Sequence, residues 1–403
     1  MVNMPVLDYV HSTHTDIDLS GTLVFACQHL FEGNAAMLTS LSQRGLNLKN
    51  LHLLPKSYSF NKEIATELQK NGAHVHRYRY DNQTSFDRQL AYEAERFLRK
   101  GERRDLSKIE RIAVLDDGGF LLSAVNNASF LQPVVGVEQT SSGYNKLQQQ
   151  QLHFPIANVA RSTSKLEYES PLIAEYIVKV IKTITKRHRR SIESRYSEPD
   201  KALVIGRGNI GSRVALELSK EMFVATYDPK NETVPLKYLL EEPHLIIGAS
   251  GSVSLGIESQ KYMKRNPMLM SVSSSDREFD GVRWRRDFER TVDPHWNYNG
   301  ENATLINGGF PITFLGQRVG LATPKIELTH ALMLEGLYQA IKCSDSNSES
   351  NSEEPGVRGF FDVDAESQKI IVERWKANMV LHKDDEEAEI LEPEPWDPLV
   401  SPF

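Results

Sequence analysis

Cysteine is nearly absent: Cys27 and Cys343 are the only two in 403 residues, which excludes a disulfide-stapled scaffold and a cysteine-rich zinc module. Charge of one sign is not in large excess. Lys plus Arg number 47 against 54 Asp plus Glu, a formal net charge of −7, so the chain lacks the basic footprint of a nucleic-acid binder. No apolar run approaches the roughly 18–20 residues that span a bilayer. The opening stretch MVNMPVLDYVHSTHTD has no basic segment followed by an apolar one, so no secretory signal is read. His11 and His14, and likewise His74 and His76, lack further ligands at a metal-site spacing, so no metal is expected. A GxSxG serine-hydrolase turn is missing too. These absences point to a cytoplasmic protein that binds neither nucleic acid nor membrane.

What is present is an ordinary globular composition, 40% hydrophobic and 25% charged, at a length that suggests two to three domains. Short apolar runs alternate with helical patterns. GTLVFA (21–26), LHLLP (51–55), a start at His74-Val75-His76, RIAVLDD (111–117) and PVVGVEQ (133–139) read as strands. Such spacing implies βαβ units and a mainly parallel sheet, whose strands are apolar on both faces. One long helix is expected over 171–196, ending in a basic cluster of Lys182, Lys186, Arg187, Arg189, Arg190 and Arg195. The cluster suits the negative end of a helix dipole or an anion patch.

A second α/β unit opens at Ala202. Strands are expected at 202–205, 223–229, 244–251, 268–274 and 303–309, followed by a helix near 326–342. The stretch 344–356 is polar and acidic, a linker by composition, with a helix at 364–381 and an acidic, Pro-rich end.

Gly206-Arg207-Gly208-Asn209-Ile210-Gly211 fits GxGxxG directly after ALVI and at the start of a helix. The first glycine allows the tight turn, the second lets backbone approach a diphosphate, and the third lets helix pack on strand. The helix then offers unpaired N–H groups to the phosphates. Asp228 follows about twenty residues later, where a carboxylate binds both hydroxyls of an adenosine ribose and repels a 2′-phosphate. The cofactor expectation is NAD, held by Gly206, Gly208, Asn209, Ile210, Gly211 and Asp228.

Several segments resemble the S-adenosylhomocysteine hydrolase family, in that family's order: CQHLFEGNAAML (27–38), VLDDGGF (114–120), GVEQTSSG (136–143) and PIANVARSTSKLEYES (155–170). The resemblance implies a fold of two Rossmann-like lobes, a doubly wound NAD-binding domain inserted after a flavodoxin-like substrate/catalytic domain. Boundaries follow: 1–196 for the substrate domain, 197–325 for the NAD domain, 326–343 for a crossover helix, and 344–403 for acidic linker, helix and tail. It also implies transient 3′-oxidation and elimination on a thioether nucleoside, and homo-oligomerisation. Under it Lys165 is the 3′-hydroxyl base, its pKa lowered by burial and nicotinamide charge. Asp117 works on the C4′ or C5′ protons, His29 lies beside the leaving group, and Glu169 pairs with the lysine. Thr140, Ser141 and Ser142 would reach the nicotinamide ribose and amide.

The chain departs from that pattern where Gln139 replaces a glutamate, Ser170 an asparagine, and Phe314 an asparagine; a histidine of the 314–324 stretch is missing. Two alternatives therefore stand beside a hydrolase. One is a catalytically silent NAD-binding relative that regulates. The other is an oxidoreductase like the D-2-hydroxyacid dehydrogenases, whose Gly-x-Gly-x-Ile-Gly…Tyr-Asp-Pro pattern is similar to GRGNIG…YDP here.

Overall fold

The computed structural model describes residues 3–102, 106–191, 201–232, 234–291, 297–314, 321–349 and 357–381. The first lobe runs α1 (Pro5–Thr13), β1 (Thr22–Leu30), α2 (Glu32–Ser40), β2 (Leu51–Phe60), α3 (Lys62–Lys70), β3 (His74–Val75), α4 (Phe86–Glu102) and β4 (Arg111–Asp116). It continues with α5 (Phe120–Asn126), β5 (Val134–Glu138), α6 (Ser141–Leu147) and β6 (Pro155–Asn158). After a π-helical turn at Lys165–Glu169, α7 (Ser170–Ser191) leads to the second lobe. That lobe comprises β7 (Lys201–Ile205), α8 (Asn209–Leu218), β8 (Phe223–Tyr227), β9 (Leu245–Gly248), β10 (Met268–Ser271), α9 (Gly281–Asp287), β11 (Tyr298–Asn299) and β12 (Thr304–Leu305). The chain returns through α10 (Thr323–Glu349) to β13 (Gly359–Asp362) and α11 (Ala365–Leu381).

Among the described residues, seven strands form one sheet in the order β13-β6-β5-β4-β1-β2-β3, and six form another in the order β11-β12-β10-β9-β7-β8. The ladders are parallel except β11–β12. The fold is thus α/β with two Rossmann-like sheets. Its parallel strands are apolar on both faces because helices cover both: Leu23 to Cys27 of β1 are each at most 3% exposed. One face of the first sheet packs under α1, α2, α10 and α11, through residues such as Leu328, Leu332, Leu337 and Trp375. The other face carries Phe25, Phe97 and Leu121, and its apolar cluster continues into the second lobe through Phe279 and Phe310.

Two local features differ from the sequence expectation. Cys27–Leu30 prolongs the strand expected at 21–26, because β4 flanks β1 as far as Cys27 and β2 as far as Leu30; the helix starts at Glu32. Residues 359–362, expected within linker and tail, form β13 and pair in parallel with β6 at the sheet edge. Arg195 and the acidic end beyond 381 lie outside the described residues, as do the side chains of Arg189 and Arg190.

Both sheets reverse strand order at their first strand, β1 in one and β7 in the other. Crevices of this kind lie beyond the strand C-termini and accept ligands. Among the described residues, no helix is long and apolar enough to cross a membrane.

Candidate functional site

The first crevice opens where β1, β2, β4 and β5 end. His29 lies near the end of β1, Lys56 and Ser59 near that of β2, Asp116 and Asp117 at that of β4, and Glu138 and Gln139 at that of β5. Asp117 is the hub. It ion-pairs with Lys56, lies 3.3 Å from His29 Nε2, and accepts from Gln139 Nε2 at 2.6 Å. Burial alone would raise its carboxyl, but the Lys56 ammonium, and then His29, outweigh that and hold it well below the usual carboxylate range. Lys56, only 1% exposed, is kept charged by the same pair against the opposing pull of burial. His29 Nδ1 lies 2.5 Å from Ser59 Oγ, and its ring stacks on Phe314 of the second lobe at 4.4 Å. Burial lowers the His29 pKa, favouring the neutral ring.

Lys165 and Glu169 occupy the π-helical turn, a distortion often found at functional sites. Lys165 Nζ donates to the Gln139 carbonyl at 2.7 Å and lies 4.0 Å from Glu169 Oε1. Glu169 is 1% exposed, accepts from Thr329 Oγ1, and has its pKa raised by burial. His330, the next residue on α10, is fully buried; burial, with a lesser push from Lys165, lowers its pKa to about 3. The structure thus joins four sequence-expected residues, His29, Asp117, Lys165 and Glu169, through Gln139. It adds Lys56, Ser59, Thr329 and His330, which sequence reasoning missed. A lysine inside the apolar run LHLLPKSYSF was the available signal for the first.

Beneath this line lies a second acidic pair. Asp116 and Glu138 are register partners on β4 and β5, and both are 0% exposed. Glu138 Oε1 accepts from Gly118 N (3.1 Å), Thr140 N (2.7 Å) and Thr140 Oγ1 (2.6 Å). Burial first, and then mutual repulsion, raise Glu138 to about 8; burial carries Asp116 to about 6. Thr140 also caps α6 by accepting from Gly143 N at 3.0 Å, and Ser142 Oγ accepts from Arg277 Nη1 at 2.8 Å, while Ser141 is exposed. Two of these three hydroxyls are therefore tied to protein partners.

The second crevice is the glycine turn between β7 and α8. Gly206 sits at φ +109°, and a Cβ there would lie 2.5 Å from the Ala249 carbonyl carbon; one on Gly211 would lie 2.0 Å from the Gly206 oxygen. Gly208, by contrast, has nothing within 4 Å of where a Cβ would stand. That open cradle at a helix N-terminus fits a diphosphate. The Asp228 carboxylate turns toward it, accepting from Arg207 N at 3.3 Å. Asn209 Nδ2 donates to Ser170 Oγ at 2.5 Å and Arg213 Nη2 to the Leu166 carbonyl at 3.1 Å, which ties the lysine's turn to this helix. Ile210 is partly buried behind them.

Polar links also join the lobes. Asp276 pairs with Arg285 at 2.6 Å and accepts from Tyr80 (3.1 Å) and from Phe86 N (3.1 Å). Arg277 reaches Asp87 at 2.8 Å. Among the described residues, no group of three or more His, Cys, Asp or Glu could hold a metal.

No family model matches the chain. Solved structures with a similar fold include an NAD+-bound 3-phosphoglycerate dehydrogenase of Entamoeba histolytica, 12% identical, covering 84% of this chain and 100% of that one at TM-score 0.37. A Staphylococcus aureus formate dehydrogenase with NAD is 12% identical over 83% of this chain and 98% of that one, TM-score 0.36. A Salmonella D-lactate dehydrogenase is 13% identical over 83% and 99%, TM-score 0.37. The expected membership of the S-adenosylhomocysteine hydrolase family is corrected, since no family model matches the chain. The segments that suggested it serve local ends here: Gln139 binds Asp117, Thr140 caps α6, and Ser142 holds Arg277. In sequence, Rv0104 and MT0113, uncharacterized proteins of two Mycobacterium tuberculosis strains, are each 33% identical over 364 residues, covering 86% of this chain and 70% of theirs; the chain belongs to their family.

Proposed function

We propose that this chain is an NAD-dependent oxidoreductase that acts on a small hydroxylated or 2-oxo substrate, of which 2-hydroxy acids are the first class to test. One observation carries the reading: the turn bearing Lys165 is hydrogen-bonded, through Asn209–Ser170 and Arg213–Leu166, to the helix that opens at the glycine cradle. That linkage supports a role for Lys165 as an acid/base group near a dinucleotide held at the cradle. Gly206, Gly208 and Gly211 shape the cradle, the N-terminus of α8 meets the diphosphate, and Asp228 accepts from the ribose hydroxyls.

NAD, when bound, supplies the hydride chemistry. Lys165 donates a proton to the substrate oxygen in the reducing direction, with Glu169 and the Gln139 carbonyl aiming its ammonium. Asp117, kept anionic by Lys56, orients Gln139 and His29. The His29 and Phe314 rings cover the apolar part of the substrate and exclude water. A cytoplasmic location belongs to the same proposal.

A second reading is favoured by the closed hydrogen-bonding of the site. Asp117 and Lys165 already have protein partners, and bonds from Tyr80 and Phe86 to Asp276 bridge the lobes, as suits a silent NAD-binding regulator. A panel of 2-oxo acids with NADH separates the two. The oxidoreductase reading expects NADH consumption with at least one member, lost in Lys165→Met without loss of NADH binding. Binding without turnover across the panel favours the silent relative.

A further inference from the structure

Arg207 stands between the first two glycines of the turn, and its side chain turns to protein partners on and beyond β8. Its guanidinium lies back along β8. Nε donates to Thr226 Oγ1 at 3.2 Å, Nη2 reaches the Thr226 carbonyl at 3.5 Å, and Nη2 ion-pairs with Glu232. Its backbone N–H donates to Asp228 Oδ2 at 3.3 Å, so one arginine and two carboxylates share the tip of β8. The side chains of Arg207 and Glu232 are 42% and 22% exposed, which puts their pair at the rim of the cradle. The 2′ position of an adenosine ribose held by Asp228 would face this same rim. An arginine there is the group that takes up a 2′-phosphate, because its planar fork meets phosphate oxygens with two parallel bonds.

We propose that Glu232 is a specificity-determining residue: by holding Arg207 back against β8 it completes the exclusion of 2′-phosphorylated dinucleotides that Asp228 begins. The inference rests on the NAD reading. Asp228 alone repels a 2′-phosphate, but a free guanidinium a few ångströms away would offset that repulsion. Glu232 removes the offset. The pair is a partly exposed rim contact of the sort worth little to stability, so breaking it leaves the fold intact. Releasing the guanidinium, in contrast, adds a charge-assisted bond to a doubly negative ligand.

Fluorescence titration with NADH and NADPH, backed by thermal shift, tests this on the full chain. The variants are Glu232→Gln, Asp228→Ser/Glu232→Gln, and each of these combined with Arg207→Leu. Wild-type protein should prefer NADH. Glu232→Gln should tighten NADPH up to about fivefold, the most that a partly exposed pair holding the guanidinium back is worth, and leave NADH within about twofold of wild type. The double variant should gain about tenfold more, and Arg207→Leu should erase both gains. Unchanged NADPH affinity in Glu232→Gln, a gain that survives Arg207→Leu, or a wild-type preference for NADPH would overturn the proposal while leaving dinucleotide binding in place. Wild-type protein that binds neither dinucleotide would overturn both.

Discussion

Replacing Lys56 with methionine removes one partner of an ion pair whose members, Lys56 and Asp117, are 1% and 2% exposed. Methionine fills similar volume, so the change isolates charge. Removing one member of a buried pair costs roughly 3–5 kcal/mol, because the other charge stays buried without its counter-ion. Gln139 Nε2 at 2.6 Å and His29 at 3.3 Å remain beside Asp117, which places the expected cost at the lower end, about 3 kcal/mol. The pH dependence fixes the cause. In the wild type, the Asp117 pKa is depressed, so its contribution is complete above the unfolded value near 3.9 and is lost as pH falls through the folded value. In Lys56→Met, burial dominates and the carboxyl pKa rises, so the variant is relatively most stable at low pH and loses ground as pH climbs. Denaturant unfolding followed by tryptophan fluorescence at pH 4, 6 and 8 should show a deficit that is small at the lowest pH and near its full size at the highest. A deficit of equal size at all three would mean lost packing rather than an unpaired charge. One below about 1 kcal/mol would mean that the pair is not buried as described.

The cradle and the other buried networks give further tests. Gly206→Ala must adopt a backbone of φ +109° with a Cβ 2.5 Å from Ala249, so it should destabilise by more than about 1 kcal/mol. Gly208→Val meets open space at φ −68°; its unfolding midpoint should barely move while NADH affinity falls at least about tenfold, since the side chain fills the diphosphate's place. Glu138 and Asp116 have folded pKa values raised to about 8 and about 6, so the stability tied to their protons is full below about pH 4 and lost as pH rises through those values. Glu138→Gln should therefore flatten the stability profile between pH 6 and 8, read from denaturation midpoints. Asp276→Ala leaves Arg285 buried without its carboxylate and should cost about 3 kcal/mol. Small-angle scattering should then report a larger radius as the lobes part; unchanged dimensions would show that the bonds of Asp276 to Tyr80 and Phe86 do not hold them together.

The glycine turn was legible in the sequence because its demands are backbone demands: only glycine fits Gly206 at φ +109° or Gly211 against the Gly206 oxygen. The parallel strands were legible for a similar reason, since burial on both faces leaves continuous apolar runs such as LVFA and IAVL. Lys56 was not, because its partner lies on another strand and a lone lysine reads as exposed until the two strand ends meet. The π-helical turn is not written in local propensity either; it depends on α8 and α10, which hold Leu166, Ser170 and Glu169 from outside the turn. β13 escaped because four residues within an acidic stretch gain strand character only from the edge of β6. Thr140 and Ser142, which the family resemblance casts as ligand contacts, take the Gly143 N–H and Arg277 as partners, links that only the folded chain brings together.

Isothermal titration of the purified full-length chain with NADH, with Gly208→Val as the control, tests the central claim most directly. Saturable binding of one dinucleotide per chain, lost in the control while the control still unfolds at the wild-type midpoint, is the predicted result. No heat of binding in the wild type, together with no dinucleotide in small molecules extracted from it, would contradict the account.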